Sequence, residues 1–457
     1  MDVLKDKIKL LYFKYLVAAS GSAMVASIFG MVDAMMVGKY HGPSGNAALA
    51  VFNPLWSIIY CLGLLAGIGG SVLFANCRGQ RKEETAQQYF MISVIYGFIL
   101  SVIAMISIGR FQEQLFLFFG ANAELLDLAK LYLKPILFAI PCCVFSNILS
   151  AYLRNDNNPN LATIAVIIGG VFNCIGDYLC VFILDMGILG AGIATAVGQY
   201  LAIFIMLTHF FHEKNTLKFV NPKKIFNKIT KISVTGFSTA INDLSMGIIC
   251  ILFNRQIMTY FGTDALAIYG IITQITAFAQ CLAYGIGQAA QPLVSQNFGA
   301  GQYSRIKECL KYSLYSCAGM GIFWTLAMVL APVLFVNLFM NPTQTVLNMA
   351  PDIFRAYGVS YSLLPFNLFA IYYFQSILKP QISMIVSLSR GAFISGMMIV
   401  LLPVLLGADS VWFAMLITEI LVAIFSIYYI TRYTRQFVQT EHPYKVVVKN
   451  NNTTSLL

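Results

Sequence analysis

"VIIGGVFNCIGDYLCVFIL" (Val166–Leu184) is apolar along its whole length except at Asn173 and Asp177. At about 1.5 Å per residue it makes a helix nearly as long as the ~30 Å hydrocarbon core of a bilayer is thick. The two polar residues stand four apart, which stacks them one turn above the other on one helical face. An Asp at the centre of a membrane helix costs about 2.5–3.5 kcal/mol on insertion scales. Such a residue faces a protein interior and marks a pathway or a site.

The rest of the chain reads the same way. Of its 457 residues 58% are hydrophobic and 11% are charged, against roughly 25% charged in a soluble domain. Mean hydropathy is +0.75. Twelve spans are predicted, over residues 10–37, 48–75, 89–109, 127–152, 160–184, 190–211, 234–260, 265–293, 311–338, 353–378, 381–405 and 410–432. Ten-residue strand patterns are absent, which argues against an outer-membrane barrel. The first span is too long for a cleavable signal peptide and lacks a small-residue cleavage site, so it reads as its own insertion signal.

The net charge of +10 belongs to topology. With the N-terminus cytoplasmic, 22 of the 29 Lys and Arg fall on the cytoplasmic side, Arg154 among them, five fall outside and two (Arg255, Arg390) within spans. The positive-inside rule then places both termini in the cytoplasm of a multi-pass plasma (inner) membrane protein. No nucleic-acid partner is expected. The ten cysteines are scattered and there are four histidines. No zinc spacing is present, so no cofactor is expected and the cysteines read as small apolar residues at helix contacts.

An internal repeat divides the chain. Ala48-Leu49-Ala50 answers Ala265-Leu266-Ala267, Gly67-Ile68-Gly69 answers Gly285-Ile286-Gly287, Gly79 answers Gly299, Pro141 answers Pro365 and Pro159 answers Pro380. Six spans separate the halves, and an even number makes the repeats parallel. The predicted fold is an all-α integral membrane protein, twelve transmembrane helices in two six-helix lobes related by a pseudo-two-fold along the membrane normal. The N-terminal lobe is assigned to 1–211 and the C-terminal lobe to 234–432, with a polar cytoplasmic tail over 433–457. Residues 212–233 between the lobes are the most basic segment and form an amphipathic cytoplasmic linker, whose second part, with Ile225, Phe226, Ile229 and Ile232 on one face, reads as a helix lying on the anionic inner leaflet. Two lobes around a cleft suit an alternating-access transporter that works as a monomer.

Four acids lie inside spans: Asp33, Asp177, Asp243 and Glu419. In the first half Asp33, Asn173, Asp177 and Thr195, with Asn147 nearby in sequence pattern, form a hard-oxygen set suited to a small cation such as sodium. The same set can hold a proton. The alternative for Asn173 and Asp177 is a helix–helix hydrogen bond with no ion. In the second half Arg390 can neutralise Glu419 or Asp243, which would make those acids structural. Pro54, Pro141, Pro292, Pro365 and Pro403 interrupt apolar spans and are expected to kink them. The 14% aromatic content and the frequent Met suit a cleft for lipophilic cations.

At these residues the sequence resembles the multidrug and toxic compound extrusion (MATE) family, in its bacterial branch. "MVDAMMVGKYHG" (Met31–Gly42) is similar to the family's first-helix signature. "QPLVSQNFGAGQYSR" (Gln291–Arg305) is similar to its motif after helix 8, which adds Gln291 as a candidate. Asn173, Asp177 and Thr195 resemble the N-lobe cation site of prokaryotic members, with Asp33 as the helix-1 partner, and "NDLSMGI" (Asn242–Ile248) resembles an acid-Leu-Ser motif that makes Asp243 a C-lobe candidate. One departure is Phe29, where some members carry a tyrosine next to the site.

The resemblance implies a secondary active antiporter that exports organic cations and xenobiotics in exchange for Na+ or H+. Its rivals are a dedicated exporter of one metabolite or peptide and a flippase for a lipid-linked saccharide. A flippase needs basic residues in the cleft, and the spans offer only Arg255 and Arg390. A membrane enzyme is disfavoured, because no H-E-x-x-H or G-x-S-x-G motif occurs.

Overall fold

The computed structural model describes residues 2–340 and 342–441. Among these every regular element is helical. The N-terminal group comprises α1 (Ile8–Gly42), α2 (Ser44–Gly79), α3 (Glu83–Phe118), α4 (Ala123–Asn155), α5 (Pro159–Ile183) and α6 (Gly187–Leu207). The C-terminal group comprises α7 (Ile225–Tyr260), α8 (Thr263–Gly299), α9 (Tyr303–Leu330), α10 in two pieces (Gln344–Gly358 and Leu364–Ser376), α11 (Pro380–Leu406) and α12 (Ala414–Glu441).

Eleven of these segments are continuous helices long and apolar enough to cross a membrane. The twelfth pass, expected as one span over 353–378, is broken by a 3-10 turn at Val359–Ser362 and restarts just before Pro365. Proline has no N–H to give the preceding turn, so it starts a helix more readily than it continues one. Pro54, Pro141, Pro292 and Pro403 instead sit inside continuous helices.

The repeat is visible in the backbone. Gly42 ends α1 with φ 65°, and Gly262 separates α7 from α8 with φ 80°. A side chain at either φ is disfavoured, which is why both corners carry glycine. The lobes meet through a second pair. A Cβ at Gly79 would lie 2.0 Å from the carbonyl oxygen of Gln296, and one at Gly299 would lie 2.0 Å from that of Asn76. The ends of α2 and α8 therefore cross backbone against backbone, each notched by the other's glycine. Gly236 of α7 against Leu65, and Gly285 of α8 against Ser20, repeat the arrangement deeper in the bundle.

These contacts lie toward the end of the bundle that carries most of the lysines, here called the basic end. Asn155 donates to Gln291 there (3.1 Å), and Arg305 donates to the carbonyls of Val3 (2.8 Å) and Asp6 (2.6 Å). Toward the opposite end the lobes enclose a cavity of about 730 Å³, lined by α1, α2, α4, α5 and α6 and, from the other lobe, by Gln274, Gln288 and Phe339.

Three assignments from sequence change. The first half of α1 is not N-lobe alone: Ile8, Leu11, Tyr12, Tyr15 and Ala19 are buried in the hydrophobic core of the C-terminal lobe, whereas Val37 belongs to that of the N-terminal lobe. The second part of 212–233 is helical as expected, but it is continuous with the next span rather than a separate surface helix. The segment is irregular up to Lys224, and from Ile225 it is the first turns of α7. Its beginning is fastened to the N-terminal lobe, where Asp156, fully buried, gathers Arg78 (2.9 Å), His209 (2.8 Å), the Thr216 amide (2.9 Å) and the Thr216 hydroxyl. Leu217 is buried in the same core, and Phe219 stacks against Phe210. At the C-terminus α12 continues to Glu441, so helix replaces the first part of the expected tail. The expected polar stretch Tyr444–Leu457 lies outside the described residues.

Candidate ion site and central cavity

Glycines decide where the candidate residues of α5 and α6 end up. Gly169 and Gly198 face each other, and a Cβ on either would come within 2.7 Å of the other's carbonyl oxygen. The close crossing brings the next turn of each helix together: Asn173 Nδ2 donates to Thr195 Oγ1 at 3.1 Å and reaches Asp177 Oδ1 at 3.4 Å. Immediately after Asp177 the helix widens into a π segment, Tyr178–Ile183. Single π turns inside α-helices are frequent at functional sites.

Asp33 of α1 joins from across the cavity. It is 8% exposed, Asp177 is fully buried, and the two carboxylates lie close enough to act on each other electrostatically. One oxygen of Asp33 accepts from the Tyr132 hydroxyl at 2.6 Å. The other oxygen of Asp33 and Oδ2 of Asp177 are buried with no hydrogen-bond partner. Buried carboxylate oxygens without partners are costly, and a cation or a proton is what would satisfy them. Asn147 lines the same cavity, but its amide is spent on the Cys143 carbonyl one turn back.

Tyr132 was not singled out from sequence. It supplies the hydroxyl that Phe29 lacks: the Phe29 ring lies instead over Gly170, where a Cβ would overlap it. Replacing Tyr132 by Phe removes a hydrogen bond to a charged group, worth about 1.5–3 kcal/mol. That bond stabilises the ion-free carboxylate, so if an ion couples transport here, its loss should lower by roughly tenfold the ion concentration that half-saturates efflux. Efflux measured against a series of imposed ion concentrations checks it.

Residues 19–179 and 236–401 match the MatE family model, one block in each half of the chain. The chain belongs to the MatE family. Among its relatives are the multidrug export protein MepA of Staphylococcus saprophyticus, 24% identical over 63% of this chain and 64% of that protein, and MepA of Staphylococcus aureus MSSA476, 23% identical over 88% of each. The chain thus aligns with slightly under two thirds of the first relative's length and with most of the second's. A solved structure, a multidrug resistance MATE family transporter of the MOP superfamily in an outward-facing conformation, has a TM-score of 0.88 at 21% identity, covering 95% of this chain and 98% of that one. That likeness establishes the twelve-helix, two-lobe fold.

In this MatE protein the two lobes treat their acids differently. In the C-terminal lobe Glu419 is fully buried and pairs with Arg390 at 2.8 Å, while Asn367 donates to its other oxygen at 2.6 Å. Arg390 sits in the π segment of α11 and also reaches Asn242 at 3.4 Å. Asp243 accepts from Tyr284 at 2.5 Å, and Tyr284 in turn accepts from Asn242 at 2.8 Å. Glu419 is therefore already neutralised and Asp243 already hydrogen-bonded. Gln291 lies away from all of these acids, bonded to Asn155 in the seam between the lobes.

Removing one member of a buried ion pair costs about 3–5 kcal/mol, whereas replacing both by apolar residues is often neutral. Arg390→Gln should lower the melting temperature of purified protein markedly, and Arg390→Met with Glu419→Leu should restore most of the loss. A double variant that melts normally but no longer transports would assign the pair to transport.

Proposed function

We propose that this MatE protein is a secondary active antiporter that exports lipophilic organic cations and xenobiotics in exchange for sodium ions or protons. The observation that carries this reading is the pair of unpartnered carboxylate oxygens on Asp33 and Asp177, buried beside a 730 Å³ cavity. Asp33, Asn173, Asp177 and Thr195 hold the coupling ion. The multidrug export role named for the MepA relatives supports the cargo class. The basic end faces the cytoplasm, so the cavity faces outward in this state and both termini are inside.

Ion entry from outside neutralises the N-lobe acids and removes the reason for α1 and α5 to stay apart. Helix α1 is suited to relay the change, because its second half carries Asp33 while its first half is packed in the other lobe. Repacking there ejects cargo from the cavity and lets the basic ends separate. One charge moving down 100 mV supplies about 2.3 kcal/mol, roughly a 50-fold concentration ratio.

The test is ethidium efflux from cells expressing the chain, with sodium and proton gradients imposed separately. Efflux should require at least one of them and stop when both are collapsed. Efflux that survives collapse of both gradients would overturn ion exchange.

A further inference from the structure

We propose that the inner end of the cavity is an anion-recognition point, where Arg154 receives an oxyanion carried by an amphiphilic cargo. This rests on the export reading above and refines its cargo: beside plain cations, the transporter takes molecules that also bear a carboxylate or phosphate. From sequence Arg154 counts among the loop cations of the basic side. In the structure it lies in the last turn of α4, 7% exposed, and it lines the central cavity.

Arg154 has no hydrogen bond and no ion pair among the described residues; the groups that act on it electrostatically are two phenols, Tyr60 and Tyr372. Arg78 and Arg390, also withdrawn from solvent, each have a carboxylate partner. A guanidinium offers five donors in a planar fork that matches a carboxylate or phosphate. The carbonyls at the end of α4 favour a cation there, but they leave that fork unused.

The nearby acids inside spans do not serve it. Asp33 is held at Tyr132, which stands 22 residues earlier on α4, about 33 Å away along a helix. Asp243 is held by Tyr284. Polar residues of both lobes line the same cavity: Ser150, one turn before Arg154 on α4, and Tyr60 from one lobe, and Gln288 from the other, hydrogen-bonded to Tyr372. An oxyanion bound here touches the seam that must open on the basic side, so it sits where cargo passes during exchange.

Two dyes make the test. Rhodamine 110 bears a free carboxylate, and rhodamine 123 is its methyl ester and a plain cation. Wild type should export both. Arg154→Gln should lower rhodamine 110 export by about tenfold or more and leave rhodamine 123 within about twofold. Arg154→Lys, which keeps the charge, should recover part of the rhodamine 110 export. Equal loss of both dyes would make Arg154 a structural residue, and no loss of either would leave it without a role, so each result overturns the proposal.

If wild type moves rhodamine 123 alone, the proposal turns on a lipid arm. In vesicles containing fluorescent phosphatidylglycerol, translocation that depends on Arg154 assigns the oxyanion to a lipid phosphate, and its absence overturns the proposal while export stands. If wild type moves neither dye, nor ethidium, the export reading itself falls.

Discussion

Ethidium efflux under an imposed ion gradient is expected to fall to background when Asp177 is replaced by asparagine. The substitution keeps the shape, and a carboxamide oxygen at the same place still accepts from Asn173, so the contact with Thr195 through Asn173 survives. What disappears is the charge. A cation bound between Asp33 and Asp177 would lose one of its two anionic partners, and losing a partner of a buried charge is worth about 3–5 kcal/mol, more than about 100-fold in affinity. The check is the efflux rate at matched membrane expression, under sodium and proton gradients in turn. If Asp177→Asn extrudes dye as fast as wild type, Asn173 and Asp177 serve only to hold helices together. Asp243, which lies inside a span of the C-terminal lobe and has no ion pair among the described residues, would then be the residue to replace.

The second large effect concerns the crossing of α2 and α8. Gly79→Ala or Gly299→Ala places a methyl group 2.0 Å from a backbone carbonyl oxygen of the opposite lobe. Backbone cannot swing aside as a side chain does, so the two helix ends must separate. Overpacking typically costs about 1–3 kcal/mol, and a backbone clash belongs at the upper end or beyond. Each variant should melt well below wild type in detergent, and the half-buried Cys77 beside the crossing should react faster with a thiol reagent. Gly319→Ala is the control, since nothing lies within 4 Å of a Cβ there and alanine favours a helix interior. Unchanged melting and labelling in both crossing variants would mean that the lobes do not depend on this contact.

Much of the architecture is legible in the sequence for a simple reason: in a membrane each helix must satisfy its own backbone, so apolar length reports spans directly. The broken pass at 359–363 escapes that rule because the break is buried in protein, with Ser360 and Tyr361 both inaccessible. Asp33, Asn173, Asp177 and Thr195 stand out as polar residues in apolar runs, and the structure brings them to one place. Tyr132 does not stand out among 24 tyrosines. Arg154 is misleading in sequence, because a cation one turn from a basic loop reads as topology whichever way its side chain points. The flippase alternative was disfavoured for want of cavity cations, and Arg154 changes that count. The Gly79 and Gly299 match shows that the halves are related, but not that these glycines notch each other's helices.

The fastening of Thr216 to Phe219 on the N-terminal lobe limits how far the start of α7 can lie from that lobe. Between Phe219 and the start of α7 at Ile225 only Val220–Lys224 remain as strap. Five extended residues reach about 18 Å at most, and Lys223 is itself tied to Glu84 at 3.0 Å. The start of α7 is therefore held within about 18 Å of the N-terminal lobe at the basic end. The linker thus acts as a short tether between the halves, not as a free loop.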